Sequence, residues 1–293
     1  MHILHTQRFS GYAGVTLSAD IGGDPAHPAV ILMHGGGQTR HSWGKAARDL
    51  VKMGLYVISL DLRGHGESDW ATDGDYSIDA YIGDLKSIIA SLSGPVALVG
   101  ASLGGVVALV ALGENRDLPV NALILVDVVP HMDHEGVTRI HTFMNANPQG
   151  FANLTEAARA VARYLPNQPL RASNEGLRKN LRSGPDGRLY WHWDPKFLAK
   201  VQTDRQQGEM IRRMDDAAQH IAAPTLIVRG KVSDVVSKEG VEHLQQLIRH
   251  AECVDVEGAG HMVAGDKNDR FNTVVERFLG SAALTGSAGR HPA

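Results

Sequence analysis

Short apolar runs that alternate with longer stretches of helical periodicity constrain the fold of this chain most. The runs span five or six residues, and most are continuously apolar, which is typical of strands covered on both faces. Apolar residues recur at helical spacing from Ile78 to Leu92, and Ser77 precedes them where an N-cap belongs. This rhythm predicts a mostly parallel sheet with helices on both faces. The predicted strands are Ala29–Met33, Leu55–Leu60, Val96–Gly100, Ala122–Asp127, Thr225–Arg229 and Glu252–Val256.

The alternation is interrupted once, between Val129 and Thr225. No run in this segment predicts a buried strand, and a segment of that length has structure of its own. We predict a helical cap insertion over residues 131–218, with helices in Asn153–Tyr164 and Leu198–Asp215. Residues 1–130 and 219–280 would then form the core domain, and the small and polar residues 281–293 a disordered tail.

Composition narrows the classes of partner. Hydrophobic residues make up 43% and charged residues 21% of the 293 residues, as in ordinary globular proteins. A net charge of −3 gives no electrostatic reason to expect nucleic acid or an anionic membrane as partner. The single cysteine excludes an intramolecular disulfide and a cysteine zinc cluster. The chain shows neither a signal-peptide pattern nor an apolar segment of about 20 residues, so we expect a cytoplasmic protein. Nothing in the sequence indicates an oligomeric state.

The strongest chemical motif is Gly100-Ala101-Ser102-Leu103-Gly104, which lies between a predicted strand and a predicted helix. A strand that turns sharply into a helix holds the middle residue in a strained conformation, and its neighbours must be small. This geometry would raise the Ser102 hydroxyl above the sheet, at the positive end of the following helix. Ser102 is therefore the predicted nucleophile.

A run of glycines, His34-Gly35-Gly36-Gly37, follows directly after the strand Ala29–Met33. Backbone N–H groups stabilise the oxyanion of an acyl transfer best when they are held in place without water. Consecutive glycines let the backbone approach the substrate closely. We assign the oxyanion hole to the N–H groups of Leu103 and Gly36, with Gly37 as an alternative second donor.

A serine hydroxyl is a poor nucleophile until a base takes its proton, and His261 is the predicted base. It lies in the glycine-rich loop Glu257–Met262 after the last strand, where it completes the order Ser, Asp, His. The acid has to orient the imidazole and stabilise its positive charge. Asp234, which follows the strand Thr225–Arg229, is the predicted acid, and Asp127 at the end of an earlier strand is the alternative.

Taken together, these motifs resemble the α/β-hydrolase superfamily, in particular its cap-bearing serine esterase, lactonase and epoxide-hydrolase-like branch. The resemblance covers about Gly14 to Leu279 and includes the stretch Asp61–Ser68. It implies an α/β fold with a mostly parallel sheet of eight strands, the first of them antiparallel, and a helical cap insertion. Val15–Ala19 would belong to a leading hairpin. Epoxide hydrolases and haloalkane dehalogenases of this fold carry Asp at the nucleophile position, so Ser102 disfavours those activities.

Two further groups of histidines are interpreted as structural. His65 would hold a loop beneath the active site rather than act as a second base. The cluster His131–Glu135 at the start of the cap is interpreted as a solvated helix start, because it has no cysteine partners and no His-x-His spacing. The sequence therefore predicts no metal ion.

Three aromatic residues, Tyr190, Trp191 and Trp193, lie within four positions of the predicted cap. They would either line a substrate pocket or anchor the cap to the core domain. Both alternatives stay open from the sequence, and we name the three as candidate substrate-binding residues.

The motifs predict hydrolysis of a small-molecule carboxylic ester or lactone through an acyl-enzyme, without a cofactor. His261 deprotonates Ser102, which attacks the carbonyl carbon, and backbone N–H groups hold the oxyanion. The same three side chains would also serve carbon–carbon bond hydrolysis, cofactor-free perhydrolysis or thioester cleavage. Some members of the fold are small-molecule receptors that retain the triad, so a receptor is the non-enzymatic alternative.

Overall fold

The strands of the predicted sheet are present, within a few residues of their predicted bounds. The structure is a computed structural model that describes residues 4–165, 174–199, 203–261 and 269–285, apart from the side chains of 282–285. The strands in this part of the chain are β1 (His5–Ser10), β2 (Thr16–Gly22), β3 (Ala29–Met33), β4 (Tyr56–Leu60), β5 (Val96–Ala101), β6 (Val120–Val126), β7 (Leu181–Ser183), β8 (Leu189–Trp191), β9 (Thr225–Gly230) and β10 (Glu252–Val256).

Helices follow most of the strands, as the alternation predicts. The α-helices are α1 (Gly44–Lys52), α2 (Ile78–Ala90), α3 (Leu103–Glu114), α4 (His134–Asn145), α5 (Leu154–Tyr164), α6 (Asp204–Gln219), α7 (Lys238–Leu247) and α8 (Asp269–Thr285). Side-chain caps fix several of the starts. The Ser77 side chain accepts a hydrogen bond from the Ala80 N–H at the start of α2, which confirms it as the N-cap.

Eight of the strands form one sheet, in the order β1-β2-β4-β3-β5-β6-β9-β10. The neighbours from β4 to β10 are all parallel, so the predicted mostly parallel sheet is confirmed. β2 pairs antiparallel with both β1 and β4. β1 therefore runs in the same direction as the parallel strands, and β2 is the antiparallel one. The prediction that the first strand is antiparallel is wrong, because the hairpin turn reverses the chain between β1 and β2.

Successive residues of the sheet strands enter two different cores. In β3, Ile31 and Met33 pack with apolar residues of α2 and α3 on one face. Val30 and Leu32 pack with residues of α1 and α8 on the other face. Since both faces of the strand are covered, every position has to be apolar, which is the pattern in the sequence.

Between β6 and β9 the chain forms an insertion with a small core of its own. α4, α5 and the hairpin β7–β8 contribute to it, and the hairpin lies around the turn-rich stretch Ser183–Gly187. The sequence did not predict these two short strands. The buried residues of this core are Met144, Phe151, Ala157, Ala160, Trp191 and Trp193.

α6 lies inside the predicted cap range but contacts the core domain. It starts after Thr203, which forms a capping box with Gln206, rather than at the predicted Leu198. Its second half packs on α3 so closely that a Cβ on Gly113 would lie 2.2 Å from the Ala217 carbonyl oxygen. α6 therefore connects the insertion to the core through direct backbone contact.

The last helix is longer than predicted. α8 ends at Thr285, so the predicted tail starts too early at residue 281, and its residues 286–293 lie outside the described part of the chain. Among the described residues, no helix combines the length and apolar character needed to cross a membrane.

Candidate active site

A large cleft, about 3260 Å³ in volume, lies between the insertion and the carboxyl ends of the sheet strands. Loops that follow β3, β5 and β10 contribute Gly36, Ser102 and His261 to its wall, and the insertion contributes Trp191 and Trp193. Parallel sheets bind ligands at this edge, where the ends of several strands meet. The cleft therefore brings together the residues that the motifs single out.

Ser102 lies in a sharp turn between the end of β5 and the start of α3. Its backbone has φ 45° and ψ −114°, a conformation that costs a non-glycine residue roughly 1–3 kcal/mol. The neighbouring glycines make the turn sterically feasible. A Cβ on Gly100 would lie 2.3 Å from the Gly104 carbonyl oxygen, and a Cβ on Gly104 would lie 2.5 Å from the Met33 carbonyl oxygen. The strained turn and the need for small neighbours are thus present as predicted.

The glycine loop after β3 lies directly beside the serine. A Cβ on Gly35 would lie 3.2 Å from the Ser102 Cβ, so the two backbones are in contact range. Neither the Gly36 N–H nor the Leu103 N–H has an acceptor among the described residues. The Gly37 N–H donates instead to His65 Nε2 at 3.1 Å. Gly37 is therefore not available as the alternative donor, whereas the Gly36 and Leu103 groups are.

The imidazole of His261 is bonded to Asp127. Its Nδ1 lies 2.7 Å from Asp127 Oδ2, and since a carboxylate only accepts, the Nδ1–H is the donor. The carboxylate of Asp127 is buried, with 1% of its side chain exposed. It accepts two more hydrogen bonds, from the Gly230 N–H at 2.9 Å and from the Ser233 hydroxyl at 2.6 Å. These donors hold the carboxylate in place against the ring.

The prediction that Asp234 orients His261 is wrong. The Asp234 side chain is 53% exposed and forms an ion pair with Arg139 of α4. Its neighbour Ser233 points inward instead and donates to Asp127. Asp127, the alternative acid, has a positive φ of 47°, a conformation that aspartate tolerates better than most residues. The end of β6, and not the loop after β9, therefore supplies the carboxylate.

Backbone contacts at the end of β9 position the loop that carries His261. The Lys231 N–H donates to Val256 O at 3.1 Å, and the Val232 N–H donates to Ala259 O at 3.0 Å. A Cβ on Gly230 would lie 2.4 Å from the Gly260 carbonyl oxygen. Only glycine at this position lets the histidine loop lie against the strand end, a requirement that no motif in the sequence indicates.

Three buried histidines surround the glycine loop and are held neutral. His65 Nε2 accepts from the Gly37 N–H, so its Nδ1–H donates to the Arg63 carbonyl at 3.0 Å. His34 Nε2 accepts from the Leu62 N–H at 3.0 Å. Burial lowers the pKa of His34 to about 4 and that of His65 to about 3. The interpretation of His65 as a loop-holding residue is confirmed by these contacts.

The third of these histidines, His192, belongs to the insertion and was not identified from the sequence. Its Nδ1 accepts from the Gly66 N–H at 2.7 Å, so its Nε2–H donates to the Gly37 carbonyl at 3.2 Å. Burial lowers the pKa of His192 well below its usual range. A side chain of the insertion thus bonds directly to the glycine loop of the core.

The stretch Asp61–Ser68 supports the glycine loop from below. Asp61 is fully buried and forms an ion pair with Arg40, and it also accepts from the Glu67 N–H. Arg63 and Asp84 form a second buried pair, with nitrogen to oxygen distances of 2.6 and 2.7 Å. These paired charges therefore connect the stretch that carries His65 to Arg40 after β3 and to Asp84 of α2.

The three aromatic candidates fall into two groups. Trp191 and Trp193 are buried, stack with ring centroids 5.0 Å apart, and line the cleft. Tyr190 is not among the residues found to line the cleft, and its hydroxyl donates to Asp186 Oδ2 at 2.7 Å. Side chains alternate along β8, so Tyr190 points away from the face that carries Trp191. Tyr190 is therefore withdrawn as a substrate-binding candidate.

Comparison with known proteins identifies the family of this fold. A family model described as alpha/beta hydrolase fold matches residues 28–267. The chain belongs to the alpha/beta hydrolase family. The resemblance that the motifs suggest is thereby confirmed, including the relation to its serine esterases.

Two curated relatives and one solved structure illustrate the similarity. The chain is 29% identical to the esterase Rv0045c of Mycobacterium tuberculosis over 264 residues, 86% of this chain and 83% of the esterase. It is 30% identical to the 3-hydroxybutyrate-oligomer hydrolase of Cupriavidus necator over 255 residues, 82% and 84% of the two chains. The crystal structure of E-2-(acetamidomethylene)succinate hydrolase shares the fold, with a TM-score of 0.80 at 24% identity over 95% of this chain and 100% of that one. These relatives support a hydrolase.

The three buried histidines predict how stability depends on pH. Their pKa values are lower in the folded than in the unfolded protein, so the unfolded chain binds more protons between about pH 4 and 6.5. Keeping these rings neutral contributes its full stabilisation of the fold above the pKa that histidine has in the unfolded chain. This stabilisation is lost as the pH falls below that pKa. We expect the free energy of unfolding to drop by about 1.4 kcal/mol per pH unit for each imidazole below about pH 6. Urea unfolding at pH 7.5, 6.0 and 5.0 measures this.

The matched pair for that measurement is His192→Gln and His27→Gln. His27 is exposed in a turn, so its replacement should leave the pH dependence unchanged. His192→Gln should reduce the slope of the free energy of unfolding against pH by about 1.4 kcal/mol per pH unit, which corresponds to one proton. A free energy of unfolding that is constant or rises between pH 7.5 and 5.0 would contradict the neutral, buried state of these rings.

Proposed function

We propose that this chain is a serine hydrolase that cleaves a carboxylic ester through an acyl-enzyme, with Ser102, His261 and Asp127 as its triad. The observation that carries the proposal is the 2.7 Å bond from His261 Nδ1 to the buried carboxylate of Asp127. This bond places the ring proton on Nδ1 and leaves the Nε2 lone pair for a serine proton. Both His261 and the strained Ser102 face the same cleft.

In the proposed first half-reaction, Ser102 Oγ attacks the acyl carbon while His261 Nε2 takes the hydroxyl proton. The carbonyl oxygen becomes an oxyanion and accepts hydrogen bonds from the Gly36 and Leu103 N–H groups, which form the proposed oxyanion hole. His261 then protonates the leaving alkoxide, and the bond from the acyl carbon to that oxygen breaks. In the second half-reaction, His261 activates a water that attacks the acyl-enzyme, and the acid and free Ser102 are released.

The surroundings of Asp127 suit the role of orienting acid. When His261 gains the serine proton, its positive charge lies next to a carboxylate that stays in place. Gly230 donates to the other oxygen of that carboxylate, Oδ1, while Ser233 donates to Oδ2, the same oxygen that accepts from His261, so both oxygens are held in place. Asp234 has no such contact with His261, and it instead pairs with a side chain of the insertion.

For the substrate, we propose an ester or lactone with an apolar acyl part, bound under the insertion, which acts as a cap. The insertion presents an apolar wall to the cleft, and Phe197 lies against Gly36 of the proposed oxyanion hole, 3.6 Å from a Cβ built on that glycine. The relatives named for esterase and hydroxybutyrate-oligomer hydrolase activity support an ester bond as the target. The wall residues are Ile140, Phe143, Met144, Trp191, Trp193 and Phe197.

The test of the proposed reaction is turnover of short p-nitrophenyl esters by the wild type and by Ser102→Ala. We expect multiple turnovers for the wild type and a kcat lowered by about 10⁵ in the variant, because the acyl-enzyme can no longer form. Ser91→Ala, at the exposed end of α2, is the matched control and should keep full activity. A variant Ser102→Ala with near-normal turnover would refute the mechanism, and a wild type that binds but does not turn over esters would favour a receptor.

The two aspartates are separated by paired amide substitutions. Asp127→Asn should lower kcat by about 10³–10⁴, because an amide favours the wrong tautomer of His261. Asp234→Asn should change kcat less than about threefold, since it removes only an exposed ion pair. Circular dichroism and thermal melting check that both variants fold. The opposite ranking would mean that the loop after β9 supplies the acid during catalysis.

A further inference from the structure

Outside the cleft, two histidines and one aspartate from distant parts of the chain meet. His243 Nε2 lies 2.9 Å from Asp215 Oδ1, and His131 Nε2 lies 3.3 Å from Asp215 Oδ2. The two imidazole rings contact each other edge to face, with centroids 4.7 Å apart. One nitrogen from each ring and one carboxylate oxygen lie within 4.8 Å of one another. The sequence cluster His131–Glu135 is thus divided, because only His131 joins this group.

The three residues come from a loop and two helices that meet at one point of the surface. His131 follows β6, four positions after Asp127; Asp215 lies on α6, and His243 on α7. Buried residues on either side, such as Met214 of α6 and Leu244 of α7, fix the two helices in the core. None of the three is among the residues found to line the cleft, so the group is separate from the proposed catalytic site.

The donor set is one that zinc prefers. Zinc binds imidazole nitrogen and carboxylate oxygen at about 2.0–2.2 Å, and a tetrahedral site therefore keeps its ligands roughly 3.3–3.5 Å apart. The two imidazoles now contact different oxygens of Asp215, at 2.9 and 3.3 Å. One atom of each residue lies within 4.8 Å of the others, so rotation of the side chains has to shorten these separations by up to about 1.5 Å to close a tetrahedral site. The side chains of His131, Asp215 and His243 are 51%, 23% and 37% exposed, so an ion and a water as fourth ligand can reach them.

We propose that His131, Asp215 and His243 bind one divalent transition-metal ion of the zinc type. Each imidazole offers its Nε2 lone pair, with the ring proton on Nδ1, and Asp215 offers a carboxylate oxygen. The ion replaces the present hydrogen bonds from the rings to the carboxylate. It cross-links the junction between β6 and the insertion to α6 and α7, and it therefore stabilises the fold rather than taking part in ester hydrolysis.

Zinc binding to the full chain tests the site. The protein is treated with EDTA, desalted and titrated with ZnCl₂ by calorimetry, and bound zinc is counted after equilibrium dialysis. We expect the double variant His131→Ala/His243→Ala to bind one zinc fewer than the wild type. Because the chain has 15 histidines, the comparison needs His27→Ala, an exposed control that should bind as the wild type does.

Thermal melting gives a second readout that does not depend on counting ions. At a hundredfold excess over the dissociation constant, zinc should raise the Tm of the wild type by roughly 4–8 °C, and Asp215→Asn should lose most of this shift. The metal-free double variant should melt close to the metal-free wild type and hydrolyse p-nitrophenyl esters within about twofold of it. Equal zinc stoichiometry in the wild type and the double variant, or no zinc-dependent rise in the wild-type Tm, would overturn the proposal.

Discussion

The close contact between the start of α3 and the ends of β3 and β5 is the constraint on which the rest of the site depends. The backbone of Gly104 lies against the Met33 carbonyl, and its N–H donates to the His34 carbonyl at 3.2 Å. The chain can reach this position only by turning sharply at Ser102, whose φ is positive. The same contact fixes the glycine loop beside the serine. The proposed nucleophile and the proposed oxyanion donors are thus positioned by one packing interaction, whose burial offsets the strain.

The insertion is connected to the glycine loop through buried histidines that stay neutral. His192 bonds to the Gly37 carbonyl, and His65 holds the N–H of the same residue from the core side. The two peptide groups on either side of Gly37, the residue after the proposed donor Gly36, are therefore held by neutral imidazoles. Their low pKa values follow from burial, since a charged ring would lose its hydration without gaining a counter-ion.

Much of the fold was predictable because the relevant patterns are local. Continuous apolar runs marked the sheet strands, and the glycines around Ser102 marked the turn. The acid could not be fixed in the same way. Asp127 and Asp234 both follow strands at the same sheet edge, and which one reaches His261 depends on the backbone of two loops. Asp127 adopts a positive φ, and Ser233 rather than Asp234 points inward. The order of Ser, Asp and His along the chain reveals neither the conformation of Asp127 nor the orientation of Ser233.

Other features that the sequence did not predict also have specific structural causes. The hairpin β7–β8 has strands of three residues, too short for a periodic pattern, so the alternation that separates Tyr190 from Trp191 was not recognised. His192 lies between two tryptophans, and nothing in its neighbours indicates that it contacts Gly37, 155 residues away. Such contacts arise from tertiary packing alone. The catalytic roles of Ser102 and His261 stay predictions, to which the structure adds a shared cleft.

The central claim is that the strained serine at the end of β5 forms a covalent bond to the acyl group. Labelling with a fluorophosphonate followed by peptide mapping tests this claim most directly, since such probes react with an activated serine. We predict one label per chain, on Ser102 alone, and no label after Ser102→Ala or in the denatured protein. A label on any other residue, or none on the folded wild type, would contradict the account.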